Sequence, residues 1–471
     1  RSKLNQRIRR LLQAWIAGCA ILVIAATYYQ VIQADELSAT PENPRVANLE
    51  RDVVRGSILD RNGNVICDSV GPGLSMRVYR GPDSLAPLVG YANPILGKSG
   101  LEAAYDVWLS GRRGSYDMTG LLSTLVDRPD HGCTVRLTID VAIQKACESA
   151  LRGRRGAAIV VDATTGELLA VASSPWYSMK GLELAWDNIV SRDDSPLVCR
   201  ATCGMYPPGS TIKMAVAAIA LDCGVTSPDE AYECEGSIRA GGTVIHDPAG
   251  AHGTIDICDA LSVSCNTAFV DLGIRLGPKL HDQLRRFFFD RSIPLDVPTP
   301  PGNLKVRDTD VSGDAIGQLA IGQGDLLVTP MHVAMMAATV ANRGVMMRPY
   351  LVASVHAADG PPVMTTRAKA LAAVMTPSSA DVVAEGMVQA VKRGTARSAA
   401  RWGYNIGGKT GTAQNPHGSP HAWFAGFGSS GGQRIAVAIV LENAGAGGAA
   451  AAPLGGDILK AALDSKTGTG R

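Results

Sequence analysis

The sequence predicts an α+β protein: an antiparallel sheet covered by helices, on a small elongated mixed domain behind one membrane-spanning helix. Three observations predict it. A continuous apolar run at 157–161 and a second strand at 167–173 are matched near the other end by apolar strands at 421–427 and 434–441, and the pattern between them is mostly helical. Strands at both ends with helices between imply one sheet assembled across the helices. Residues 51–150 carry short alternating runs and many turn signals, and the first 36 residues read charged, apolar, charged.

In chain order, Arg1, Lys3, Arg7, Arg9 and Arg10 precede an uncharged run from Leu11 to Ile32, and Asp35 and Glu36 follow it. Residues 1–10 read as a basic cytoplasmic tail and 11–32 as a span, since a bilayer core takes about 20 helical residues. The run is too long for a signal-peptide core, and no small-residue cleavage site follows. Basic residues stay inside, so the rest of the chain is expected outside, with Trp15, Tyr28 and Tyr29 at the interfaces. A chain that starts at Arg1 rather than Met predicts a few more cytoplasmic residues before it.

Residues 37–50, with Pro41 and Pro44, read as a linker, and 33–150 as linker plus membrane-proximal pedestal. Within it, residues 61–64, 71–73 and 81–82 are turns, 134–139 is a strand, and 140–151 is a helix opened by an aspartate cap. The second domain is expected over 151–465, starting with a hairpin whose turn is 162–166; residues 466–471 read as a polar tail.

Composition narrows the function. With 471 residues there is room for two or three domains, and 46% hydrophobic with 52 glycines describes an Ala/Gly-rich globular chain. A net charge of +2 gives no reason to expect a nucleic-acid partner. Ten cysteines include no CxxC pair, so structural zinc is not expected; Cys19 lies in the span, most others read as buried thiols, and Cys234–Cys258 is the one candidate disulfide. His246, His252, His417 and His421 have no metal-ligand spacing, so no metal is expected; Asp247 and Asp256 read as turn or helix caps.

The chemistry-bearing segment is Tyr206-Pro207-Pro208-Gly209-Ser210-Thr211-Ile212-Lys213. Pro-Pro-Gly breaks the chain, a helix should start near Ser210 and end near Gly224, and from Ile212 to Leu221 every residue but Lys213 is apolar. A helix apolar all round is buried, so Lys213 is desolvated towards a neutral amine. Ser210 and Lys213 at i, i+3 share one side, a nucleophile beside a base at a helix start whose N–H groups stabilise developing negative charge. Ser264-Cys265-Asn266 is the only Ser-x-Asn, inside a helix-like stretch 259–272. Lys409-Thr410-Gly411 follows Gly407-Gly408 and precedes the strands 421–441; glycine there lets a substrate backbone approach closely. A second Lys-Thr-Gly at 466–468 has no strand after it and is set aside.

With these three motifs in this order, the sequence resembles the class B penicillin-binding proteins. Residues 55–63 (Arg-Gly-Ser-Ile-Leu-Asp-Arg-Asn-Gly), Gly100-Leu101-Glu102, Ile321-Gly322-Gln323-Gly324, Thr329-Pro330, 341–344 and Glu442-Asn443 extend the resemblance over nearly the whole chain. The short pedestal, residues 265–269 and His421-Ala422-Trp423 look most like the short actinobacterial-type members. No room remains for a glycosyltransferase domain, so a monofunctional enzyme is expected.

The resemblance implies a penicillin-binding or serine β-lactamase-like transpeptidase fold and the cross-linking of peptidoglycan stem peptides on lipid-linked nascent glycan. Ser210 would attack the D-Ala–D-Ala carbonyl, Lys213 act as base, Ser264 relay a proton to the leaving group and Lys409 adjust its electrostatics. Asn266 would hold a substrate amide; Thr410, Gly411 and Thr412 would bind substrate, the threonines its terminal carboxylate. The N–H groups of Ser210 and Thr412 would form the oxyanion hole. It further implies binding of β-lactams, no cofactor, and a multi-spanning glycan polymerase as partner of the span and pedestal. Two other readings stay open. One is a β-lactamase or β-lactam sensor, opposed by the anchor and the lack of an obvious deacylating Glu. The other is a catalytically silent scaffold, opposed by the intact motifs.

Overall fold

The computed structural model describes residues 2–33, 53–111, 131–304, 313–357, 360–416 and 418–467. The expected linker 37–50 and His417 lie outside them.

The apolar runs become strands because both faces of each are covered. Five antiparallel strands lie in the order Asn405–Ala413, His421–Ser430, Gln433–Leu441, Gly156–Asp162 and Leu168–Ser174. Every residue of the last two is buried, which explains continuous apolar runs in place of polar–apolar alternation. One face carries Ala157, Ile159, Val161, Ala436, Ala438 and Val440 against the helix Pro330–Ala341, onto which the helix Lys213–Asp222 packs in turn. The other packs Ala158, Val160, Ile435, Val437 and Ile439 on Val141–Leu151 and Ala452–Thr467. As expected, Asp140 caps Val141–Leu151, accepting from the N–H groups of Ala142 (2.8 Å) and Ile143 (3.4 Å). The final helix runs to Thr467, so Lys466 stands in its last turn rather than in an extended tail.

The membrane-proximal part is tied by charge. Arg55 gives Nε to Glu102 at 2.7 Å and Nη1 to Asp106 at 2.6 Å, and Arg77 Nε reaches the other Glu102 oxygen at 2.7 Å. Glu102 is fully buried; burial opposes its charge, and the two guanidinium groups hold its carboxyl below the usual range. Its sheet was only partly legible. The order is Pro362–Thr365, Val352–His356, Thr134–Leu137, Ile58–Leu59, Val65–Ser69, Arg77–Tyr79, so the later half of the chain returns to donate two strands. Val355 pairs with Val135, joining the two regions through backbone hydrogen bonds.

The helix Ser2–Thr27 continues as a π-helical turn, Tyr28–Ile32. Its 27-residue stretch Asn5–Val31 contains an 18-residue window of mean hydropathy 1.9 that is not buried against the rest of the protein. At 1.5 Å per residue it measures roughly 40 Å, enough to cross a hydrocarbon core of about 30 Å.

Candidate active site

The nucleophile segment is held by close backbone contacts. Tyr206 pairs with Val328, and the Gly209 N–H donates to the Gly322 carbonyl at 2.9 Å. Gly322 has φ +72, and a Cβ there would lie 2.1 Å from the Gly209 oxygen, so only glycine fits. Gly209 itself, at φ +53, lies against Thr412 and Ala413 of the Asn405–Ala413 strand. The segment 209–212 is a 3₁₀ turn, and the α-helix proper begins at Lys213, slightly later than the sequence implied. In a 3₁₀ turn residues i and i+3 eclipse, which keeps Ser210 and Lys213 on one side. The helix end holds as expected: Gly224 has φ +64.

Lys213 and Lys409 are fully buried. Lys213 Nζ donates to the Ser264 carbonyl at 2.8 Å and to Asn266 Oδ1 at 2.7 Å, and stands 3.4 Å from Ser264 Oγ. Lys409 Nζ donates to Ser264 Oγ at 2.7 Å and to the Thr410 carbonyl at 3.0 Å. Burial lowers the Lys213 amine to about 7 against a small pull from Cys265 and Asp247. Burial, and then the charge of Lys213, also push Lys409 well down. The Ser264 hydroxyl therefore sits between two amines, neither of which holds its proton as a surface lysine does.

The helix expected through 259–272 is broken at that serine. It ends as Ile257–Val263, and Asn266–Leu276 starts anew. Ser264 lies at φ 63, ψ 38, a left-handed conformation that costs a non-glycine residue about 1–3 kcal/mol. The new helix is started from outside: Asp247 accepts the N–H groups of Asn266 and Thr267, the latter at 3.1 Å. Burial opposes the Asp247 charge, but these two N–H bonds hold its carboxyl below its ordinary value. Asn266 Nδ2 donates to the His246 carbonyl at 2.9 Å, which aims its Oδ1 at Lys213. Asp247 and Asp256 are caps, as expected, with Asp256 accepting the Asp259 N–H at 2.7 Å.

The third motif faces this cluster. Gly411 packs on the nucleophile turn; a Cβ there would stand 3.0 Å from Thr211 Cγ2 and 3.2 Å from the Pro208 oxygen. Thr412 is exposed, whereas Thr410 is buried and donates to Thr395 Oγ1 at 2.9 Å. Lys213, Ser264, Asn266 and Lys409 thus form one hydrogen-bonded cluster, and Gly411 and Thr412 lie against the turn that carries Ser210, while Thr410 turns its hydroxyl inward.

Two supports escaped the sequence reading. Tyr206 gives its hydroxyl to Glu442 at 2.8 Å, and Glu442 also binds Arg200 (2.8 Å) and Arg155 (2.9 Å). The Tyr206 ring meets His421 and Trp423 edge-on, and Trp423 Nε1 donates to the Pro207 carbonyl at 3.0 Å, bracing the turn before Ser210. Secondly, Cys234, Asp247, His252 and Cys265 gather behind Asn266. The Cys234–Cys258 disulfide is not formed; all ten cysteines are free. Cys258 Sγ donates to the Val382 carbonyl at 3.5 Å in the neighbouring helix Pro377–Lys392, whereas Cys234 faces His252 and Thr267.

The comparisons agree with this geometry. Residues 156–460 match the penicillin-binding protein transpeptidase domain, and 55–135 match the penicillin-binding protein A dimerisation domain. The chain is 34% identical to the peptidoglycan D,D-transpeptidase PbpA of Mycobacterium tuberculosis, over 98% of this chain and all of that protein. It is 32% identical to PbpA of Mycolicibacterium smegmatis, over 98% and 99%. The ceftriaxone acyl-enzyme of M. tuberculosis penicillin-binding protein A superposes with TM-score 0.80 at 32% identity, covering 88% of this chain and 99% of that one. A D,D-transpeptidase domain from Eggerthella lenta gives TM-score 0.79 at 31% identity, covering 88% and 99%. With its three motifs converged on one serine and both of its domains matched, the chain belongs to the class B penicillin-binding proteins.

Proposed function

We propose that this chain is a peptidoglycan D,D-transpeptidase that works through an acyl-Ser210 ester and is acylated by β-lactams. The observation that carries it is the Ser264 hydroxyl standing between buried Lys213 and Lys409, with Lys213 itself one turn after Ser210. Neutral Lys213 takes the Ser210 proton as Oγ attacks the penultimate D-Ala carbonyl. The N–H groups of Ser210 and Thr412 receive the oxyanion. The C–N bond breaks, and the departing D-Ala amine gains a proton through Ser264, whose hydroxyl is refilled from the lysines. An amine of a neighbouring stem peptide then attacks the ester, and Ser210 recovers its proton. Thr412, with Thr410 behind it, binds the terminal carboxylate, and Asn266 holds a substrate amide. With a β-lactam the broken C–N bond leaves the amine tethered, so the ester is trapped.

Residues 33–150 serve as linker and pedestal and 151–465 as the transpeptidase domain. The N-terminal helix is a single-pass span of the cell membrane with the catalytic domain outside, and span and pedestal contact a multi-spanning glycan polymerase. Protease added to intact spheroplasts then removes the domain, and full protection refutes the topology. Fluorescent penicillin labels the wild-type chain covalently and leaves Ser210→Ala unlabelled; equal labelling of both rejects the assignment.

A further inference from the structure

The loop that holds the nucleophile turn also reaches the edge of the central sheet. The Gly322 carbonyl accepts the Gly209 N–H, and the Gln323 N–H donates to the Gln318 carbonyl at 2.9 Å, so the Gln323 backbone is fixed beside that turn. Its half-buried side chain extends to the strand Asn405–Ala413, where Gln323 Nε2 donates to the Thr412 carbonyl at 3.3 Å. A Cβ on Gly209 would lie 3.2 Å from that same oxygen, so the carbonyl faces the nucleophile turn.

Asn405–Ala413 is the outer strand of its sheet and pairs on one side, with His421–Ser430. In an antiparallel strand the N–H and C=O of one residue point to the same side. The Thr412 N–H and carbonyl therefore both face the open edge, on the side of Ser210. An acyl donor whose carbonyl oxygen lies against the Thr412 N–H carries the N–H of the same donor residue within reach of the Thr412 carbonyl. The two residues then exchange both bonds, as an added strand does. In the free protein Gln323 holds that acceptor.

We infer that Gln323 is a displaceable cover of the acyl-donor subsite: its carboxamide holds the Thr412 carbonyl until the N–H of the donor's penultimate residue replaces it. At 3.3 Å the bond is longer than the usual N–H···O distance of about 2.9–3.0 Å, so it is readily given up. The exchange breaks one hydrogen bond as another forms, which leaves a donor with that N–H to bind at a small cost. Covering the carbonyl also blunts a strand edge that would otherwise pair with any extended chain.

The test compares full-length wild type, Gln323→Ala and Gln323→Met in detergent, each acylated by benzylpenicillin and by penicillanic acid. Benzylpenicillin carries an amide N–H on the carbon next to its lactam carbonyl; penicillanic acid has the same ring system and no amide. At sub-saturating drug both variants should react with benzylpenicillin about 2–10-fold faster than wild type, the worth of one net hydrogen bond. The limiting rate constant should stay unchanged, which places the gain in the non-covalent step. Penicillanic acid leaves the carbonyl covered, so all three proteins should react with it at one rate. An unchanged or slower benzylpenicillin rate, or an equal gain for both drugs, overturns the cover. A gain in Gln323→Ala alone does so too, because it makes bulk and not the N–H the obstacle. The cover rests on the transpeptidase reading, whose own failure is a different result: wild type that neither drug labels.

Discussion

The pH dependence of acylation tests the central claim that burial makes Lys213 a base. An ordinary lysine at 10.5 is neutral in only about 0.03% of molecules at pH 7. Held at about 7, Lys213 is neutral in roughly half, a gain of about 10³ in the reactive form and on the order of 5 kcal/mol against its charged state. The rate constant for acylation by benzylpenicillin, followed by rapid quench and intact-mass spectrometry, should then rise about tenfold between pH 6 and pH 8 and level off above. The same shift has a stability sign. The folded value lies below the unfolded one, so between about 7 and 10.5 the unfolded chain binds more protons at this residue, and stability rises with pH there. Below about 7 the buried amine is charged in both states and that gain is gone. A rate that climbs tenfold per pH unit to pH 10, or one flat from pH 6 to pH 8, refutes Lys213 as the base.

Lys409→Ala removes the 2.7 Å donor to Ser264 and should slow acylation by at least ~10²-fold, the scale of one preorganised polar contact, while Lys466→Ala leaves the rate unchanged in the same assay. Glu102→Ala leaves the buried Arg77 side chain without a carboxylate and Arg55 with Asp106 alone, and should cost about 3–5 kcal/mol, read as a lowered midpoint in denaturant unfolding. The penicilloyl ester should persist for many minutes, because among the described residues no carboxylate is hydrogen-bonded to Lys213, Ser264 or Lys409 to activate water. Loss of the mass adduct within seconds would establish the β-lactamase alternative.

What was legible in the sequence follows from how each signal is made. The central strands were visible because burial on both faces leaves long apolar runs, and Lys213 because one cation interrupts an otherwise apolar helix. The break at Ser264 was not visible: residues 261–265 contain no glycine or proline, and the left-handed turn is imposed from outside, by Asp247 on the next helix. Residues 352–356 and 362–365 fall in the stretch expected to be mostly helical within 151–465; they are short strands, and nothing local says that they join the pedestal sheet. The Tyr206–Glu442 contact spans 236 residues and leaves no pattern at either end.

The strain at Ser264 accounts for the way the site uses one residue twice. In a continuous helix its carbonyl would accept an N–H four residues on and its hydroxyl would lie along the helix surface. The left-handed turn ends the helix one residue earlier, and the same rotation delivers the carbonyl to Lys213 at 2.8 Å and the hydroxyl to Lys409 at 2.7 Å. Two buried amines must be satisfied by acceptors that carry no full negative charge, since a carboxylate there would favour their protonated forms. A neutral carbonyl, a hydroxyl and the Asn266 amide oxygen meet that need while leaving the amines poorly protonated. The backbone cost of about 1–3 kcal/mol at Ser264 is smaller than the roughly 5 kcal/mol by which burial disfavours the charged Lys213. Both energies are spent on the same end, an amine free to accept the Ser210 proton.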